Sequence, residues 1–232
     1  MFTRLLASGA LALSLLAAPA AAQDDPAPER KVYNPINYNQ AEDPENVWLL
    51  DLSNGQRVAI RLMPSWAPGH VDRIKTLTRQ GFYDGVIFHR VIDGFMAQTG
   101  DPTGTGQGGS QLPDLAAEFN PMPHIRGTVS MARAAEEDSA NSQFFIVFYP
   151  RFSLDKRYTN FGRVIANMAA VDAVQRGEPP ANPTRILQAS LASDGKPQVV
   201  APPPPVPTPE QEVPNLNGTA ITPDQLSAPI GE

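Results

Sequence analysis

A chain of 232 residues with 41% hydrophobic content has room for one domain or two small ones and for an ordinary globular core. It contains no cysteine, which excludes disulfides, a thiol nucleophile and a lipid anchor on a cysteine after an N-terminal apolar run. The net charge of −6 is unevenly spread: residues 23–45 and 197–232 each carry −4, whereas residues 46–196 come to +1, and a near-neutral body without a basic stripe argues against a nucleic-acid partner.

The first predicted element is residues 1–22. Arg4, an apolar stretch rich in leucine and alanine, and Ala20-Ala21-Ala22 before Gln23 have the layout of a secretory signal with a small-residue cleavage site. Pro19 and the small residues interrupt the apolar run too early for a retained anchor. An exported, periplasmic protein without stable membrane insertion after cleavage is therefore expected. Residues 23–45, broken by Pro26, Pro28, Pro35 and Pro44, are expected to be an extended or disordered linker. Residues 197–232, with the run APPPPVPTPE, are expected to be a disordered Pro-rich tail acting as a spacer, or as a docking segment for a partner.

Between these arms lies a body, residues 46–196, that reads as many short strands with two helices. Val47–Leu52 and Gln56–Leu62 flank Ser53-Asn54-Gly55, and Asn-Gly between two apolar runs predicts a hairpin. Val71, Ile74 and Leu77 recur at helical spacing, with Gly81 placed to end that helix. Strands are predicted over residues 86–92, 95–98, 128–132, 144–148 and 161–165. A second helix is predicted over 168–175, stopped by Gly177, and a last strand over 186–191. Strands without βαβ alternation point to an antiparallel barrel or sandwich; a barrel is preferred because closure removes exposed edges.

The stretch FHRVIDGFMAQTGDP carries the most suggestive chemistry. Period-two alternation separates Phe88, Arg90 and Ile92 from His89 and Val91, and Asp93-Gly94 should turn the chain before Phe95. The count does not say which face Arg90 takes. On a concave face with Phe95, Met96 and Gln98 it would be a permanent cation beside apolar surface; otherwise it is an ordinary surface arginine. Other chemistries find little support. His70, His89 and His124 lack metal-ligand spacing, so no metal or cofactor is expected. The glycines of GDPTGTGQGGS lack the Lys-Ser/Thr ending of a phosphate loop and read as a rim loop. A serine hydrolase built on Ser110 and His89 would lack its GxSxG elbow.

Four segments, FHRVIDGFMAQTGDPTGTGQGGS, GTVSMARA, NSQFFIVF and LDKRYTNFGRV, resemble the cyclophilin-type peptidyl-prolyl isomerases in order and approximate spacing. The resemblance covers residues 47–191. It implies a mainly β fold, a closed eight-stranded antiparallel β-barrel capped by two α-helices, acting on proline-containing polypeptides as a monomer. Carried over by motif, it implies a catalytic Arg90 and a Gln98 that orients it. It implies a proline pocket of Phe95, Met96, Phe145 and Leu154, and a neighbouring groove lined by Gln143, Ala132 and Gly106. Arg133 stands where many relatives have asparagine, and Tyr158 where a histidine is common. Ser153 replaces a tryptophan that contacts cyclosporin in well-known eukaryotic relatives, so weak cyclosporin binding is expected. The competing reading is a binding module that holds proline-containing segments without turnover; the intact pair Arg90 and Gln98 favours catalysis.

Overall fold

The computed structural model describes residues 31–200. The expected signal segment, residues 23–30 of the expected linker and residues 201–232 of the expected tail lie outside the described residues.

Strands β1 (Val47–Leu52) and β2 (Arg57–Leu62) form the predicted hairpin, in register from Val47↔Arg61 to Asp51↔Arg57. Gly55 takes φ 83° in its turn, a conformation that a Cβ would penalise. Helix α1 (Pro68–Arg79) starts on a proline, which has no N–H to leave unpaired, and buries Val71, Ile74 and Leu77. No local side chain caps it. Instead the Glu118 carboxylate, 49 residues away, accepts from the N–H groups of Gly69 and His70 at 3.1 and 3.0 Å.

The remaining strands are β3 (Arg90–Ile92), β4 (Met96–Thr99), β5 (Thr128–Met131), β6 (Phe144–Val147), β7 (Asn160–Ala166) and β8 (Ile186–Leu191). Helix α2 spans only Met168–Asp172, shorter than the predicted 168–175. Its C-terminal carbonyls explain the early stop. The Arg176 guanidinium donates to the carbonyls of Asp172 and Val174, taking acceptors that further helical N–H groups would have used.

All eight strands pair antiparallel, in the order β3-β4-β6-β5-β7-β2-β1-β8. The sheet curls into a half-barrel, so the expected closed barrel is corrected to an open one: β3 and β8 end the order without a ladder between them. The seam is stitched by isolated contacts, Phe88 N–H to Thr184 O at 2.9 Å, Ile186 N–H to Val86 O at 2.9 Å and the bridge Ile87↔Arg185. The approach to β8 contains Pro179, Pro180 and Pro183, which have no N–H to give a ladder there. The predicted strand over 86–92 shortens to β3, because residues 86–88 meet residues 184–186 only through these isolated contacts.

Residues 33–45, within the segment expected to be an extended or disordered linker, are tied to the sheet by hydrogen bonds. The Arg61 side chain, 2% exposed, donates to the carbonyls of Asn37, Asn39, Glu42 and Asp43 at 2.6–2.9 Å. Burial lowers the Arg61 pKa, opposed by Asp43 and Glu42. The first tail residues are held too, with Val199 N–H on Asp51 Oδ2 at 2.8 Å.

Alternation sends the two faces of the central strands into different apolar groups. Val91, Ala97, Ile146 and Val129 join the main core with Trp48 and Phe144, whose rings lie 4.9 Å apart. On the opposite face, Met96, Phe145 and Val147 form a second cluster with Ile92, Phe95, Ala132, Leu154 and Tyr158. Two apolar faces make FFIV a continuous buried run rather than an alternating one.

Candidate active site

The second cluster is the floor of the site. Strands β3 and β4 form a hairpin in which Arg90 lies opposite Gln98 and Ile92 opposite Met96; Gly94, at φ 66°, makes the turn. Gln98 in turn lies opposite Phe145 of β6, and Phe145 opposite Ser130 of β5. Residues paired across antiparallel strands point to the same face, so Arg90, Gln98, Phe145 and Ser130 form a row across four neighbouring strands. The face that the alternation count left undecided is therefore this one.

Arg90, Phe95, Met96, Gln98, Ala132, Arg133, Phe145, Leu154 and Tyr158 line a cavity of about 140 Å³. That is well below the roughly 300–1,000 Å³ of ordinary small-molecule pockets, so it suits a single small ring. The Arg90 guanidinium stands at its polar end. Leu154 is delivered by the 3₁₀ turn Phe152–Leu154, and Tyr158 meets Phe145 edge to face at 5.6 Å. An adjoining polar groove of about 530 Å³ is lined by Gln143, Gly106, Gly108, Asn141 and others, and shares Gln98, Ala132 and Arg133 with the small cavity. All eleven residues anticipated from the motifs thus line one or other of two adjoining spaces. Arg133 is the wall between them, with its guanidinium 5.0 Å from the Tyr158 ring centre and donating to the carbonyls of Arg157, Ala134 and Ala135.

A chain of hydrogen bonds fixes the polar end. Arg90 Nη1 donates to Gln98 Oε1 at 3.4 Å, Gln98 Nε2 to Gln143 Oε1 at 2.9 Å, and Gln143 Nε2 to the carbonyls of Gly106 and Gly108 at 3.1 and 2.8 Å. Each amide is oriented by its neighbour. The loop that ends this chain is folded around Asp101. Burial raises the Asp101 pKa, but donors from Thr103, Gly108 and Gly106 outweigh it and hold the carboxyl at about 2.

Behind Phe145 lies a second polar group that sequence reasoning missed. The His124 ring is stacked on Phe145 at 6.4 Å, with Nδ1 2.8 Å from Asp155 Oδ1 and Nε2 2.8 Å from Ser130 Oγ. Burial lowers the His124 pKa, with Asp155 opposing, so the neutral ring donates from Nδ1 and accepts from the Ser130 hydroxyl at Nε2. This Asp-His-Ser arrangement cannot serve as a hydrolase, because Ser130 is 0% exposed. The alternative pair fares no better: Ser110 Oγ donates to Asn141 Oδ1, and neither ring nitrogen of buried His89 has a hydrogen-bond partner among the described residues. No cluster of three or more metal-binding side chains occurs among the described residues.

The second missed residue is Glu178. Its Oε2 accepts from Arg90 Nε at 2.7 Å across a sequence separation of 88 residues, which no local motif signals.

Comparison with known proteins agrees with this fold. The family described as "Cyclophilin type peptidyl-prolyl cis-trans isomerase/CLD" matches residues 49–191. A "Probable peptidyl-prolyl cis-trans isomerase" of Brucella suis biovar 1 (strain 1330) is 46% identical over 172 residues, covering 67% of this chain and 87% of the relative. The crystal structure of cyclophilin AquaCyp293 from Hirschia baltica superposes with a TM-score of 0.61 at 29% identity, covering 66% of this chain and 76% of that one. A Cryptosporidium parvum cyclophilin-type isomerase, crystallised in the presence of the dipeptide Ala-Pro, superposes with a TM-score of 0.58 at 28% identity, covering 62% of this chain and 98% of that one. A match over most of the curled sheet, together with a ring-sized apolar cavity that has an arginine at its rim, leads to one conclusion: the chain belongs to the cyclophilin family and is a peptidyl-prolyl cis-trans isomerase.

Proposed function

We propose that the chain accelerates rotation about Xaa-Pro bonds of proline-containing polypeptides exported to the periplasm, with Arg90 stabilising the twisted amide. The observation that carries the mechanism is the position of the Arg90 guanidinium at the rim of the cavity walled by Phe95, Met96, Phe145, Leu154 and Tyr158. Rotation breaks no covalent bond. Its barrier of about 18–20 kcal/mol is the loss of amide resonance. In the twisted state the proline nitrogen becomes pyramidal and its lone pair accepts a hydrogen bond, which it does not do in either planar isomer. A donor aimed at that nitrogen therefore binds the transition state more strongly than the ground states.

Arg90 has the donors to spare. Nε and one N–H of Nη1 are engaged by Glu178 and Gln98, leaving the rest of the fork without a partner among the described residues. The apolar walls hold the proline ring and displace water, which strengthens the guanidinium's effect. The polar groove pairs with the flanking peptide backbone. An acceleration of about 100,000-fold corresponds to about 7 kcal/mol, shared between this hydrogen bond and the exclusion of water. Ser153 is exposed and does not line the cavity, in keeping with weak cyclosporin binding.

The test is cis-to-trans exchange of an Xaa-Pro peptide with native protein, Arg90→Ala and Arg90→Lys, each checked for folding by circular dichroism. We expect Arg90→Ala to lose about 100-fold or more in kcat/KM, and Arg90→Lys to recover little of it for want of the planar fork. A folded native protein that binds the peptide without accelerating exchange would replace catalysis by a holding role. Export rests on residues 1–22 alone; N-terminal sequencing of protein from a periplasmic fraction should start at Gln23.

A further inference from the structure

We infer that Glu178 is a positioning residue for the isomerase reaction: its carboxylate holds the Nε edge of Arg90 so that the opposite edge of the guanidinium faces the bound peptide. The inference rests on the reading of Arg90 as the transition-state donor.

The pair is built by the backbone. Val91 and Gly177 form an antiparallel bridge, with Val91 N–H to Gly177 O at 2.8 Å and Gly177 N–H to Val91 O at 2.9 Å. In such a bridge the residue before Val91 faces the residue after Gly177, so Arg90 and Glu178 are cross-strand neighbours. The row Arg90, Gln98, Phe145 and Ser130 is thereby extended by one residue beyond the outermost strand β3, and Arg90 is gripped on both sides. Gln98 holds Nη1 from β4, and Glu178 holds Nε from the 177–185 segment.

That segment is itself fixed. Gly177 has φ 141°, and a Cβ there would lie 2.6 Å from Pro180 Cα and 2.9 Å from Pro179 O. Just before it, Arg176 stacks over the Phe148 ring at 4.3 Å and pairs with Asp93 at 3.2 Å. The carboxylate is thus presented from a braced turn.

The pair is poorly suited to a purely stabilising role. Its side chains are 41% and 51% exposed, and ion pairs of that kind contribute little to folding because solvent screens them. What it does is restrict a long side chain with several rotatable bonds, which would otherwise leave the rim of the cavity. A carboxylate on Nε draws off some of the guanidinium's charge, but it fixes the plane of the fork, and orientation governs whether a free N–H reaches the proline nitrogen.

The experiment uses the full chain, with kcat and KM measured by NMR exchange on an Xaa-Pro peptide for native protein, Glu178→Ala, Glu178→Gln and Arg90→Ala. Melting temperatures and the ¹H–¹⁵N signal of the Arg90 side-chain Nε–H, assigned by its loss in Arg90→Ala, are followed alongside. Glu178→Ala should lower kcat about 3- to 10-fold with KM within about twofold, and should displace the Nε–H signal, while the melting temperature stays near native. Glu178→Gln, which retains an acceptor oxygen, should restore at least about half of kcat. A native or raised kcat in Glu178→Ala overturns the inference, as does an unmoved Nε–H signal or a glutamine variant as slow as the alanine. If Arg90→Ala itself keeps full activity, the role of Arg90 falls; if Arg90→Ala is inactive while Glu178→Ala is native, only the role of Glu178 falls.

Discussion

Both carboxylate oxygens of Asp101 are taken up by the loop it begins: Oδ1 accepts from Thr103 N–H and Oγ1, and Oδ2 from the N–H groups of Thr105, Gly106 and Gly108. A folded pKa of about 2 against an ordinary 3.8 means that this carboxylate contributes stability fully present above the unfolded value and lost as pH falls through the folded one. The shift corresponds to about 2 kcal/mol. Asp101→Asn should therefore be less stable than native at pH 7 by about 2 kcal/mol, and urea unfolding should show the difference shrinking between about pH 4 and pH 2. The same variant turns an amide donor toward backbone N–H groups, and loosens the loop whose Gly106 and Gly108 carbonyls orient Gln143. At this scale Arg90 was legible from its motif, and Asp101 was visible only as part of a glycine-rich loop. Glu178 had no local signal at all, since its partner is reached through a single backbone bridge.

Neighbouring residues on one strand do opposite jobs. Phe144 packs inward against Trp48 and Tyr83, whereas Phe145 faces outward as the floor of the cavity. Phe144→Ala should cost about 3–5 kcal/mol of stability, read by urea unfolding, because the tight core leaves a cavity. Phe145→Ala should destabilise less and show its main effect as a raised KM for the proline peptide, because it removes the wall that the ring would touch. Strand and helix positions were readable wherever periodicity and turn residues agreed, as in the β1–β2 hairpin at Asn54-Gly55. They failed where a side chain competed for backbone groups, as Arg176 does with the carbonyls two and four residues before it at the end of α2, because periodicity does not record where a long side chain folds back. The sequence reading extended β3 back to Val86 because Val86, Phe88 and their neighbours are strand formers; the backbone there turns instead to stitch the seam with residues 184–186.

Across the whole molecule, the segment before β1 is tied to the body at two places: Asn34 exchanges hydrogen bonds with Ser65 and Trp66, and the buried Arg61 guanidinium binds the residues that follow. Arg61 satisfies its donors on four carbonyls of residues 37–43, an arrangement in which charge and hydrogen-bond demand are met together. Arg61→Leu should release residues 37–43, lower stability by about 2–4 kcal/mol and create a protease-sensitive site there, detectable by limited proteolysis and mass spectrometry. The composition of that segment suggests only an extended or disordered linker, since prolines and polar residues bury little surface on their own. One partner that holds it lies on β2, and composition carries no record of it.

The sequence by itself determined the number and order of the strands, the hairpin turns, the apolar positions and the motif residues of the site, because each depends on local periodicity, turn chemistry or contiguous motif. Only the tertiary structure decided which face of β3 carries Arg90, that the barrel stays open between β3 and β8, that residues 33–46 are bound, and that Glu178 meets Arg90. Those features depend on which distant backbone groups find each other once the sheet has curled, and pairings at long sequence separation leave no periodic trace in one chain.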